Sequence, residues 1–252
     1  MVKKVIFCLF LLHICNILIC QTSEEMFASG IERYNEGNYA EAASIFESLY
    51  SDGNTDFEVC YNLGNAYYKS DDMPSAILFY ERALRLRPGD ENTIYNLSIA
   101  NSRIIDKIDT VPELFFAKWF KSVAVAFTPA AWSVMSIVLF FLLCTGVFFV
   151  IILRRLTMRK VFFYLSTIVL LLFVFVTFMN VKIRHNMMSS DTGIVFSPTV
   201  TVKGSPSDEG IDLFVIHSGT KVFVSQTLGD WDEIKLSNGK TGWVQSEVLK
   251  KI

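Results

Sequence analysis

Two uncharged apolar stretches, Trp132–Leu153 and Val161–Val181, stand close together, separated only by Arg154-Arg155-Leu156-Thr157-Met158-Arg159-Lys160. A helix needs roughly 20 apolar residues to cross the hydrocarbon core of a bilayer, and both stretches reach that length. Core helices of soluble domains are usually shorter and keep a polar face. The pattern therefore predicts two transmembrane helices over 132–153 and 161–181, joined by a loop at 154–160. Spans joined this tightly form an antiparallel hairpin. Everything before the hairpin and everything after it then lies on one side of the membrane.

Residues 1–20 indicate which side. Lys3 and Lys4 precede the apolar run Val5–Ile19, the pattern of a signal peptide. Cleavage near Cys20–Gln21 is the reading adopted. Lipidation of Cys20 stays open, although Ile19 is larger than that motif prefers, and so does an uncleaved anchor. An exported N-terminus followed by two spans turns both flanking parts away from the cytoplasm. The basic loop at 154–160 agrees in part, because Lys118, Lys121, Lys182 and Arg184 flank the opposite ends of the spans. Neither span carries an acid or a base, so a transport path or proton relay has no candidate there, and Asn180 reads as an interface residue.

The 52% hydrophobic content, with 22 Phe, is concentrated in the signal and the hairpin, and the flanking parts have ordinary soluble composition. Cys60 and Cys144 remain outside the signal, one in each kind of environment, so no disulfide is expected. Between Gln21 and Val111 there are 16 Asp/Glu against 7 Lys/Arg. An acidic segment without a basic face argues against nucleic acid as a partner.

That acidic segment repeats itself at a shift of 34 residues. Gly30 meets Gly64 and Ser98, Ala42 meets Ala76, and Phe46 meets Tyr80. Tyr61-Asn62-Leu63-Gly64-Asn65-Ala66 returns as Tyr95-Asn96-Leu97-Ser98-Ile99-Ala100. This period, with small residues where paired helices cross, resembles the tetratricopeptide repeat. Residues 57–90 resemble it most, from Tyr61–Lys69 through Ala76, Tyr80 and Ala83 to Pro88. Residues 23–56 form a looser first repeat, and 91–109 a lone first helix that caps the array. The resemblance implies an all-α array whose first helices line a concave groove. Phe27, Ile31, Tyr34, Tyr61, Asn65, Tyr68, Tyr95 and Ile99 are its candidate protein-binding residues, and several of them are also expected to pack between helices. The positions at which some members clamp a C-terminal carboxylate hold Phe27, Ile31, Asn62, Asn92 and Asn96. Only Asn62 fits, and the cations are missing.

Phe115, Phe116, Trp119 and Phe120 alternate with Lys118 and Lys121. This suits the headgroup level of a bilayer, so 112–131 is read as an interfacial amphipathic segment, its core at Pro112–Phe127 and turned inward near Pro129. Simple continuation of the first span stays open beside it.

After Ser190 the hydrophobic period changes. Gly193–Val202, Leu213–His217, Lys221–Gln226, Trp231–Leu236 and Gly242–Val244 read as five strands between Gly, Asp, Asn and Ser turns. Asn238-Gly239 signals a tight hairpin, since both residues tolerate positive φ. Five short strands over 193–252 predict a small all-β barrel. Gly219-Thr220-Lys221-Val222, Trp231-Asp232-Glu233-Ile234 and Asn238-Gly239-Lys240-Thr241-Gly242-Trp243-Val244 resemble the bacterial SH3 family. Domains of that family often bind cell-wall peptides or proteins. Trp231 and Trp243, with Phe214 beside them, are the candidate surface, and packing of Trp243 into the barrel is the competing reading.

His185 and His217 have no cysteine or carboxylate at metal-ligand spacing, and no serine elbow, phosphate loop or dinucleotide fingerprint occurs. Asp71-Asp72 and Asp208-Glu209 fall in turns. No catalytic residue, metal or cofactor is expected.

The order of parts (signal, repeats, membrane hairpin, SH3-like domain) resembles the Bacteroides aerotolerance operon (Bat) family along the whole chain. The resemblance implies a bacterial inner-membrane protein with both soluble parts periplasmic and the loop at 154–160 cytoplasmic. It implies partnership with Bat membrane proteins that carry von Willebrand A domains, and a role in tolerance of oxygen or envelope stress. Two functions follow as expectations: a protein-interaction scaffold, and a sensor that binds peptidoglycan through the SH3-like domain.

Overall fold

The computed structural model describes residues 23–108, 115–188 and 191–252. The expected signal at 1–20 and the start of the interfacial segment, 112–114, lie outside these residues. The chain forms two compact units. One joins the residues up to Leu84 with Asp90–Val111 and Ser190–Ile252, and the other joins Arg85–Gly89 with Pro112–Ser189.

The first unit begins with five helices: α1 over 23–35, α2 Tyr39–Ser51, α3 Phe57–Lys69, α4 Met73–Leu86 and α5 Glu91–Arg103. The 34-residue period is visible in their packing. A Cβ on Gly30 would stand 2.6 Å from the Phe46 ring, and one on Gly64 would stand 2.5 Å from the Tyr80 ring. Both rings are almost wholly buried, so each glycine lets an aromatic of the second helix reach the backbone of the first. Gly64→Ala is expected to lower stability by about 1–2 kcal/mol despite the better helix propensity of alanine. The midpoint of denaturant unfolding measures it. Ser98, third in that column, is exposed and meets no such ring. Side chains cap α4 and α5: Asp72 accepts from the Ser75 amide at 3.2 Å, and Asp90 accepts from the Thr93 amide at 2.8 Å.

Helix α5 stops at Arg103, short of the expected 109. Lys107 donates to the carbonyls of Asn101 and Ser102, which would otherwise end the helix without partners. The released segment is then held by the C-terminal sheet.

That sheet has seven strands: β1 Thr192–Val195, β2 Thr199–Lys203, β3 Asp212–His217, β4 Lys221–Leu228, β5 Trp231–Lys235, β6 Thr241–Gln245 and β7 Leu249–Lys251. Every pairing is antiparallel, in the order β3-β2-β6-β5-β4-β1-β7, and the sheet is not closed into a barrel. The expected strand Gly193–Val202 is two strands, because Pro198 between them has no N–H for a ladder. β1 pairs with β4 and β7, whereas β2 pairs with β3 and β6. The β7 edge is not paired to β3, and one of its carbonyls, that of Lys251, accepts from Arg82 Nη2 of α4 at 2.8 Å. Val200, Val202, Ile216, Val222, Ile234, Val244 and Leu249 supply the sheet's core.

The turn between β5 and β6 also differs from expectation. Gly239 alone takes positive φ, at 89°, and its amide donates to the Leu236 carbonyl at 2.9 Å. Asn238 instead accepts from the Lys240 amide through its side chain. This is the longer hairpin connection, in which one glycine carries the left-handed step.

The array and the sheet share one core. Ile194 of β1 is fully buried in a cluster with Ala76 and Ile77 of α4 and Leu97 and Ala100 of α5, flanked by Ile104, Phe196 and Ile252. Polar ties surround it. Asp106 accepts from the His217 amide at 2.6 Å and the Thr220 hydroxyl at 2.6 Å, and it meets His217 Nδ1 at 2.9 Å. Lys221 donates to Glu81 at 2.7 Å. A repeat array ends stably only when its last apolar face is covered. Here α5 has no second helix of its own, and the sheet covers what that helix would have covered.

The second unit contains α6 Phe115–Val125, α7 Pro129–Ile152 and α8 Leu156–Met188. Two of these, α7 and α8, are long and apolar enough to cross a membrane. The connection is shorter than the expected 154–160. Leu, Met, Arg and Lys favour helix, and nothing in Leu156–Lys160 breaks one, so Arg159 and Lys160 belong to α8. At its other end α8 runs past Val181 through Lys182 and Arg184. The helices touch closely where Gly146 meets Ser166. Asn180, expected at the lipid interface, accepts from the Ser133 hydroxyl across the pair at 3.2 Å. Helix α6 packs Phe120, Val123 and Ala124 near Trp132, Met179 and Ile183.

Candidate functional site

A concave pocket of about 260 Å³ opens on the array, lined by Tyr34, Tyr61, Asn65, Tyr68, Lys69, Tyr80, Asn96 and Ile99. Positions 34 residues apart fall on the same face of successive first helices, which is why α1, α3 and α5 all contribute. Tyr34, Tyr61, Asn65, Tyr68 and Ile99 of the expected set meet here. Phe27 and Ile31 do not reach the pocket. Phe27 packs on Phe46 with ring centroids 5.5 Å apart, and both residues flank the core of the first repeat. Tyr95 is 64% exposed, and its neighbour Asn96 turns into the pocket instead.

A hydrogen-bond chain sets the pocket floor. Tyr80 Oη donates to Asn65 Oδ1 at 2.8 Å, and Asn96 Nδ2 donates to the same oxygen at 3.0 Å and to Tyr61 Oη at 3.3 Å. Burial, then the neighbouring tyrosines, pushes the Tyr80 hydroxyl well above its ordinary range, so it remains a neutral donor. Burial likewise raises Tyr34. On the rim, the Arg103 guanidinium lies 5.4 Å from the Tyr68 ring centroid and pairs with Asp71 at 2.6 Å. Asn62, the one residue that fits a carboxylate clamp, donates to the Glu58 carbonyl of its own helix at 2.8 Å. The sequence assigned Tyr80 only to packing, left out Lys69, and offered Asn96 only as a clamp position that does not fit. Asn96 was traceable through its 34-residue partner Asn62, but the two amides point differently: Asn62 bonds back to its own helix, whereas Asn96 reaches Tyr61 and Asn65.

On the sheet, β5 and β6 pair Trp231 with Gln245 and Glu233 with Trp243, while Asp232, Ile234 and Val244 are buried on the opposite face. Trp231 and Trp243 are thus half-buried diagonal neighbours on the outer face, and Val244 takes the core position. Phe214 is not beside them. It pairs with the buried Val202 and packs against the core, with Lys240 Nζ 5.6 Å from its ring centroid.

Asp106, His217 and Thr220 have the residue types of a nucleophilic triad but not its wiring. Both hydroxyl and imidazole turn to the carboxylate, so no base stands over the Thr220 hydroxyl. Burial pushes the Cys60 thiol up to about 11, which keeps it an unreactive thiol. Among the described residues no group of three or more His, Cys, Asp or Glu is placed to hold a metal.

A helical repeat array with an aromatic, amide-floored groove is a protein-interaction module, of a kind that is typically a non-catalytic scaffold. Residues 57–90 match the tetratricopeptide repeat family, over α3, α4 and the turn that follows. No curated protein matches the chain.

Proposed function

We propose that this chain is a non-enzymatic scaffold of the bacterial inner membrane. In this reading its tetratricopeptide groove grips a protein partner in the periplasm while the α7–α8 hairpin anchors it. The groove carries the proposal: five expected binding residues line one pocket, floored by the Tyr80 hydroxyl and the Asn65 and Asn96 amides. Apolar side chains along both long helices face outward, among them Phe141 at 64% and Leu171 at 66% exposure, which a soluble core would bury. Ile108, the last described residue before the second unit's helices, and Ile194 of β1 after them both pack in the first unit, which supports one side of the membrane for both soluble parts. The signal-like residues 1–20 make that side the periplasm, with 154–160 cytoplasmic and 112–131 interfacial.

The layout further supports a BatE-like component of an aerotolerance or envelope-stress complex, with von Willebrand A-domain Bat proteins as partners. Crosslinking in native membranes, followed by identification of the captured proteins, tests this. Tyr61→Ala/Tyr68→Ala is expected to reduce capture roughly 30-fold, as loss of a central aromatic anchor does. Undiminished capture by the folded variant would refute the groove reading.

The shared outer face of Trp231 and Trp243 favours a second reading, an SH3-like peptidoglycan-binding sensor. Because the sheet shares its core with the array, the test uses the full chain on purified peptidoglycan. Binding lost in Trp231→Ala/Trp243→Ala supports the sensor, and absence of binding by the native chain removes it.

A further inference from the structure

We propose that the end of the second unit formed by α6 and the last turns of α8 binds an acidic phospholipid. Lys118, Lys182 and Arg184 make this end attractive to its anionic headgroup, and Phe115, Phe116 and Trp119 lie against its acyl chains. The proposal rests on the membrane reading of the hairpin and adds a lipid class to it.

Charge complementarity selects the occupant. From Phe115 to Met188 the chain carries eight Lys/Arg and no Asp or Glu. The nearest acid before this stretch, Glu113, lies outside the described residues, and Asp191 after it belongs to the first unit. Lys118, Lys182 and Arg184 are exposed, and none joins an ion pair among the described residues. Lys182 Nζ stands 5.8 Å from the Phe120 ring centroid, which places this cation beside α6.

The rings supply the second half of the site. Helix α6 already buries one side, yet Phe115 is 75%, Phe116 73% and Trp119 47% exposed. Three large aromatics beside uncompensated cations match a surface that is apolar within and anionic at its edge. A zwitterionic headgroup brings its own cation to the phosphate. An acidic headgroup does not, and each basic side chain near such a surface favours it by about five-fold.

The test reconstitutes the full chain in phosphatidylcholine bilayers with a trace of photoactivatable lipid, either phosphatidylglycerol or phosphatidylcholine, and maps labelled residues by mass spectrometry. Phosphatidylglycerol is expected to label 115–125 and 179–188 at least about five-fold more than phosphatidylcholine. K118Q/K182Q/R184Q is expected to lose that excess while both lipids still label the middle of the spans. Equal labelling of this end by the two lipids, with the spans labelled, overturns the lipid class and leaves the hairpin in the bilayer. An excess that survives in the triple variant also overturns it. Spans that neither lipid labels overturn the proposal together with the membrane reading.

Discussion

Gly219→Ala is expected to separate the sheet from the repeat array, at a cost of about 2–5 kcal/mol, combining a left-handed backbone step with an overpacked contact. Gly219 sits at φ 88°, in the turn between β3 and β4, a conformation that a side chain disfavours. An added Cβ would also stand 2.5 Å from Ile104 Cγ2 and 3.4 Å from Ile77 Cδ1. Neither neighbour can yield freely: Ile77 is fully buried, and Ile104 leaves α5 for the segment that Asp106 ties down. Hydrogen exchange of the detergent-solubilised chain reads the outcome. Amides of 104–108 and β1 should lose protection while α1–α3 keep theirs. Unchanged protection at β1 would mean that the shared core does not depend on this close approach.

The second large effect is at Asp106. Its side chain is only 15% exposed and accepts three hydrogen bonds from the sheet. Asp106→Ala leaves the His217 amide and the Thr220 hydroxyl without their acceptor, and about 2–4 kcal/mol of stability should go with it. The native chain should show the same dependence through pH. Desolvation of the Asp106 carboxyl raises its pKa, but the bonds from Thr220 and His217 and the attraction of His217 outweigh that and hold it below the ordinary 3.8. A carboxyl lowered by folding binds its proton more readily in the unfolded chain. Its contribution is therefore complete above the ordinary carboxylate range and is lost as pH falls below about 4, through the folded value. Protection of 104–108 should fall in that window, and Asp106→Asn should remove this component of the acid response. An acid response identical in the variant would place its origin in other carboxylates.

Much of this was legible along the chain. The 34-residue period marked α1–α5 and the equivalence of Gly30 with Gly64 and of Phe46 with Tyr80, because a repeat places like residues at the same offset; that each glycine meets its aromatic ring came from the packing. Uncharged length alone marked α7 and α8, since it needs no knowledge of what surrounds them. Strand alternation marked stretches that hold the core residues Val200, Val202, Ile234 and Val244, but not which side of each stretch faces inward: Trp243, weighed as a core residue, lies on the outer face and Val244 takes the core position. It could not show that Gly193–Val202 is two strands in different parts of the sheet, because alternation is silent about partners and only Pro198 hinted at a break.

What tertiary structure alone decided is which surfaces meet. The repeat period placed Tyr95 on the groove face, and the bacterial SH3 resemblance placed Phe214 beside the tryptophans. Packing exposed the first and turned the second to the core, since a side chain's final direction depends on the element opposite it. The largest such decision is the union of the two soluble parts. Nothing in the order of residues pairs Asp106 with His217 or Ile77 with Ile194, because those contacts span more than a hundred positions with the hairpin between them. They form because an array lacking its last helix and a sheet with an open edge each bury, in the other, the surface it could not cover alone.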